Sequence, residues 1–270
     1  MWRISSEISR AKILLPAVLL IVALCGESLS AKSQQKSPDR ATSSPSELSD
    51  AGNGTETTAE IAGDSMFVQQ RYQEAIEDYE KAPEDSVAVW NKKGIAYEML
   101  LDLKDAERCF KKALRLNPHD ARPWNNLGSV YDAMNDQPRA EHQYRKALKL
   151  NPNYATALRN LGTNLIFQGE YGEGQELYKR ALALNRNILG DDGDDIATTN
   201  IVSANKLGAM NYYKARNYAQ AGMSAQAIKS LRRALDEGFT TPEKITGDRS
   251  FIPIRNDPAF RQLIGQHQRQ

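Results

Sequence analysis

Cysteine is almost missing from this chain of 270 residues, which has only Cys25 and Cys109. A disulfide framework is therefore excluded as the source of its stability. Histidine is nearly as scarce. His119, His142 and His267 are the only three, and none has a second His, Cys or carboxylate at zinc-ligand spacing. Excess charge is also lacking, with 35 basic residues against 34 acidic. That balance argues against a nucleic-acid partner and against electrostatic adhesion to anionic membranes. No run of 18 apolar residues occurs, so no segment has the length of a bilayer-spanning helix. Neither a phosphate-binding loop nor a dinucleotide fingerprint is present. Catalysis is not expected, and no cofactor or metal is implied.

The first stretch that stands out is at the start. Arg3, Arg10 and Lys12 precede an apolar run, Ile13–Cys25, and Ser28-Leu29-Ser30 follows with small residues at the −3 and −1 positions. This is the layout of a signal peptide over residues 1–30, cleaved before Ala31. A lipid-modified Cys25 is the alternative, although Leu24 stands where that motif wants a small residue; an uncleaved anchor is the other. Cleavage removes three basic and two acidic residues and leaves 32 of each. Cys109, beside the apolar Phe110, is expected to be a buried small side chain rather than a reactive thiol. Residues 31–55 are rich in Ser, Thr, Pro, Gln and Gly without apolar periodicity, the composition of a disordered linker. Asn53-Gly54-Thr55 is formally a glycosylation sequon, which such a linker contains readily by chance.

What the chain does have is a period of 34 residues. Trp90 recurs as Trp124, Gly94 as Gly128 and Gly162, and Tyr97 as Tyr131. Ala106 recurs as Ala140, Ala113 as Ala147 and Ala181, and Pro118 as Pro152. Self-similarity at this period marks a stacked helix–turn–helix array. Glycine costs roughly 1 kcal/mol inside a helix, so its recurrence implies close helix–helix contact. Ala106, Ala140 and Ala147 are expected to serve the same contact. Trp90, Trp124, Leu158, Phe110, Tyr144 and Tyr178 are expected to fill the layers, and Asn117-Pro118 and Asn151-Pro152 to end each second helix. The run Trp124-Asn125-Asn126-Leu127-Gly128-Ser129-Val130-Tyr131, followed by Ala140-x3-Tyr144-x2-Ala147, resembles the tetratricopeptide repeat family. The resemblance implies an all-α fold, a right-handed α-solenoid of stacked helix–turn–helix repeats.

Four repeats are expected over residues 56–188. The first, roughly 56–86, is degenerate and shortened at its second helix by Pro83. Regular units follow at 87–120, 121–154 and 155–188. The last of these has Gly174 for Ala, Leu165 for Tyr and Arg186 for the turn proline, so its second helix is expected to continue towards Leu189. An acidic loop, 189–202, comes next. Its carboxylates lack the spacing and closing Glu of a calcium loop, which favours a solvated loop. A fifth unit is expected at 203–240, with its first helix around Asn211–Tyr218, Ala215 at the small position and Gly222 closing it. Residues 241–270 resemble the closing segment that follows the last repeat in bacterial relatives, with Asp257-Pro258 starting a final short helix.

The resemblance further implies binding of a protein or peptide partner on the concave face lined by first helices. Carried over by register, the partner-binding residues are Asn91, Ile95, Glu98, Arg122, Asn125, Asn126, Ser129, Asp132, Arg159, Asn160, Thr163 and Phe167. Met99 and Ile166 fall on the same faces. Ile95, Met99 and Phe167 fit packing between first helices equally well. The Lys/Asn clamp by which some family members hold a C-terminal carboxylate is absent. Asn126 and Asn160 instead offer donors to a peptide backbone, and Asn125 and Arg159 are expected to be exposed beside them. The expected protein is a monomeric, non-catalytic interaction module, periplasmic or extracellular after signal cleavage. The alternatives are an assembly factor of an envelope or secretion complex and an accessory subunit of an enzyme.

Overall fold

The structure, a computed structural model, describes residues 57–190 and 203–269. The expected signal peptide, the linker and the acidic run 191–195 lie outside the described residues. Four helical hairpins follow in order: α1 (Thr58–Val68) with α2 (Tyr72–Tyr79), α3 (Val87–Met99) with α4 (Leu103–Leu116), α5 (Ala121–Ala133) with α6 (Gln137–Leu150), and α7 (Ala155–Gln168) with α8 (Tyr171–Leu184). A fifth pair is α9 (Ala204–Gln220) and α10 (Ser224–Asp236). The closing segment holds α11 (Pro242–Gly247), a 3-10 turn (Arg249–Ile254) and α12 (Pro258–His267). The architecture is an all-α solenoid of helical hairpins.

The recurring glycine has a direct cause. A Cβ at Gly128 would lie 2.5 Å from Cε1 of Tyr144, and one at Gly94 2.5 Å from Cε1 of Phe110. The aromatic ring of each second helix rests on bare backbone of the first. Tyr144 and Phe110 are accordingly sealed from solvent. Burying such a ring stabilises by about 2–3 kcal/mol, which offsets the helix-propensity cost of the glycine.

The stops are set by asparagine. Asn117, Asn151 and Asn185 cap α4, α6 and α8 in extended backbone conformation. Each accepts at Oδ1 from the N–H two residues on, at 3.0, 3.1 and 2.9 Å. The expectation that α8 runs past Arg186 is therefore corrected. Asn185 alone makes the side-chain turn, and proline at the next position is not required. In the first repeat, α2 has 8 residues against 14 in α4, so the truncation before Pro83 exceeds one turn. The tight turn inside each hairpin places Leu101, Asn135 and Gly169 in the left-handed region, at φ 61°, 60° and 89°.

Two expectations about packing change. Trp90 and Trp124 are only half-buried, and their indole N–H groups donate to Glu84 O (2.7 Å) and Pro118 O (2.9 Å). They tie down the inter-repeat turns instead of filling the layers. The fifth pair keeps the internal spacing, with Ala215 and Leu231 both fully buried, but it starts at Ala204, well ahead of Asn211. Its orientation also differs. The end of α7 lies by the start of α6, as in Gln168 Nε2 to Glu141 Oε2 at 2.9 Å. By contrast Tyr213 of α9 stacks on Tyr171 at the start of α8, with ring centroids 4.9 Å apart. Further on, Arg186 donates to Ala221 O at 3.3 Å, and Tyr218 to Gly190 O at 2.7 Å. Helix α9 thus runs alongside α8 in the same direction. Such a helix must begin beside the start of its predecessor, about 20 Å back along a 14-residue helix. Phe251, Ile254, Phe260 and Leu263 of the closing segment are buried against this pair.

Candidate functional site

The first helices α3, α5 and α7 lie side by side, and the twelve residues expected on their concave surface divide into two groups. The first group is inward. Asn91, Asn125 and Asn126 are buried, Asn125 at 2% exposure, and so is Ile95, while the partly accessible Asn160 joins them through its amide. Their amides form a donor–acceptor chain that begins at Arg159. Its Nη2 donates to Asn160 Oδ1 at 3.0 Å, Asn160 Nδ2 to Asn125 Oδ1 at 3.1 Å, Asn125 Nδ2 to Asn126 Oδ1 at 3.0 Å, and Asn126 Nδ2 to Asn91 Oδ1 at 3.0 Å. The expectations that Asn126 offers its donors to a peptide backbone and that Asn125 is exposed are corrected. These two side chains point between neighbouring first helices, where the amide of each already donates to another asparagine.

The second group forms the open floor: Glu98, Arg122, Ser129, Asp132, Arg159, Thr163 and Phe167, all partly accessible. Glu98 of α3 accepts from the Ser129 hydroxyl of α5. One repeat on, Asp132 accepts from Tyr144 Oη at 2.8 Å and from Asn164 Nδ2 at 2.6 Å. The difference is traceable to Phe110, which stands in the register of Tyr144 without a hydroxyl, so Glu98 turns to its neighbour. Loss of solvation pushes both acids up to about 7, while the hydrogen bonds from Ser129 and from Tyr144 and Asn164 hold them down in part. Arg122 pairs with Asp120 at 2.8 Å, and the Thr163 hydroxyl lies 2.8 Å from Tyr178 Oη. Lys206 at the start of α9 sits 5.8 Å from the centre of the Phe167 ring.

Some participants were not anticipated. Asn164 occupies the position of Ala96 and Val130, and a polar residue in an otherwise apolar register was the signal that could have found it. Lys206 could not be foreseen, because the inverted α9 brings it to the groove. The buried Lys92 has its Nζ 2.9 Å from Glu60 and 2.7 Å from Asp64. Burial works against its charge, but the two carboxylates outweigh it and raise its pKa. Cys109 is buried and its thiol is pushed up to about 11 by desolvation. It is held protonated and unreactive at neutral pH. Among the described residues no group of three or more His, Cys, Asp or Glu is arranged to hold a metal ion, and no helix is long and apolar enough to cross a membrane.

The family profile described as tetratricopeptide repeat matches residues 87–120 and 121–154, and a second profile of the same description matches 155–195. The chain is a tetratricopeptide repeat protein over residues 87–195. No curated protein matches it in sequence. Among solved structures, a crystal structure of MamA is 22% identical, with 69% of this chain and 97% of that one covered at a TM-score of 0.44. Two further similar structures are MamA AMB-1 at 20% identity (67% and 98% covered, TM-score 0.45) and MamA MSR-1 at 21% (67% and 94%, TM-score 0.43). At these identities the likeness is one of fold alone. A tetratricopeptide repeat array is a scaffold for protein interaction, of a kind that is typically non-catalytic.

Proposed function

We propose that this scaffold is exported and binds a segment of a protein partner on the concave floor of α3, α5 and α7. The observation that carries the reading is the row of partly accessible side chains crossing three consecutive helices, with Glu98 and Asp132 recessed at its centre. Two carboxylates one repeat apart suit a cationic or donor group of the partner, and Phe167 offers an aromatic face next to them. Arg159 is tied to Asn160, so an acidic ligand is less well served than its charge alone implies. The residues proposed for contact are therefore Glu98, Ser129, Asp132, Arg159, Thr163 and Phe167. Export rests on the charged start, the apolar run and Ser28-x-Ser30, and it places the mature start at Ala31. Mass spectrometry of protein from the native host tests this, and an intact Met1 or a lipid on Cys25 would contradict it. For the groove, a partner recovered by pull-down is titrated against the wild type and Asp132→Asn. At least tenfold weaker binding with unchanged helix content supports the reading, tenfold being about 1.4 kcal/mol. Equal affinity rejects it.

A further inference from the structure

The two ends of the described chain are both unfinished, and in complementary ways. In each inner repeat one first-helix position reaches back to the repeat before it. Lys92 contacts Glu60 and Asp64, Asn126 contacts Asn91, and Asn160 contacts Asn125. In α1 that position is Ile61, and two turns on is Val68. Among the described residues no repeat precedes them, and they stand 55% and 70% exposed. A terminal repeat that only protects a solenoid end carries a polar outer face. This one does not. On α2, Glu74 has the register of Glu173, which meets Arg145 of the preceding repeat at 3.3 Å; here it is held by Arg71 of its own repeat. Residues 57–86 carry eight carboxylates against two cations.

The other end mirrors this. Residues 203–270 carry eleven cations against five carboxylates. In the 3-10 turn Arg249–Ile254, side chains three apart eclipse one another, which puts Arg249, Ile252 and Arg255 on one outward line. Ile252 is 54% exposed there. An isoleucine between two arginines matches an exposed Ile/Val pair on an acidic end segment, in apolar character and in sign of charge.

We propose that copies of this chain associate head to tail, the α1 face of one docking on the Arg249–Ile252–Arg255 stripe of the next. The two surfaces differ, so the contact is heterologous and leaves a free end on each side of every dimer, which permits open chains. None of these residues belongs to the concave floor, and the proposal stands or falls independently of the groove reading.

Sedimentation velocity on protein recovered from its native host, over rising concentration at low and high salt, is the test. The wild type should form species that grow with concentration and shrink with salt. Ile61→Asp with Val68→Asp blocks one end, and Ile252→Asp blocks the other. Each variant alone should associate at least tenfold more weakly, and an equimolar mixture of the two should form dimers and nothing larger. Arg249→Glu with Arg255→Glu, a surface change that leaves the apolar contacts intact, should behave as the second blocked variant does. A wild type that remains monomeric throughout, or variants that associate as it does, would overturn the proposal. A mixture no larger than its components would do the same.

Discussion

Glu98→Gln should stabilise the protein in mild alkali and leave it unchanged in acid. The Glu98 carboxyl is raised to about 7 chiefly by loss of solvation, with Asp132 adding repulsion and Ser129 opposing. An unfolded glutamate titrates near 4.3. The folded state thus holds its proton more tightly than the unfolded chain. Stability associated with this group is complete below about pH 4 and is lost as pH rises through about 7, beyond which it stays level. A tenfold difference in proton affinity between the folded and unfolded chain corresponds to about 1.4 kcal/mol, so the separation between about 4.3 and about 7 bounds the loss at about 4 kcal/mol. Glu98 keeps some solvent contact, which lowers the expectation to about 1–2 kcal/mol. Glutamine keeps an acceptor for the Ser129 hydroxyl and removes the charge. Urea unfolding from pH 5 to 8.5 should show wild-type stability falling towards pH 7.5 and the variant falling by less, with Asp132 accounting for the remainder. Parallel pH curves for the two proteins would refute the reasoning.

Three further outcomes are expected from denaturant unfolding. Asn125→Ala leaves the amide of Asn160 and the Oδ1 of Asn126 without partners in a buried chain and should cost about 1–3 kcal/mol. A loss below half a kcal/mol would mean that the amides are not coupled. Gly128→Ala places a methyl into the Tyr144 ring and should cost about 1–3 kcal/mol, although alanine's helix preference returns part of that; a net gain would show that the ring can retreat. Leu101 is 63% exposed and holds φ at 61°, so Leu101→Asn, the residue found there one repeat on, should raise stability by up to about 1 kcal/mol.

The repeat was legible in the sequence because its requirements are local in register. Gly94, Gly128 and Gly162 recur because an aromatic ring lies on each, and the 16-residue step from glycine to ring is visible in the chain itself. Asn117 and Asn151 were also legible as stops, but the proline after each drew the explanation away from the asparagine, and Arg186 was misread for that reason. The groove was less legible. Neighbouring positions on one helix differ by only 100° in direction, and the period does not say whether a polar side chain there faces solvent or the adjacent helix. Asn125 and Glu98 fall on opposite sides of that boundary. The direction of α9 was not legible, since it depends on how the chain returns after Asn185 and not on any residue within the helix.

A protein partner on the concave floor would lie within reach of Phe167. A photoreactive benzoylphenylalanine at Phe167, an aromatic for an aromatic, tests it in the native host, with the same residue at His142 on the exposed side of α6 as the comparison. Position 167 should give a specific crosslinked partner and position 142 none. Crosslinking from 142 alone, with 167 silent in a folded protein, would contradict it.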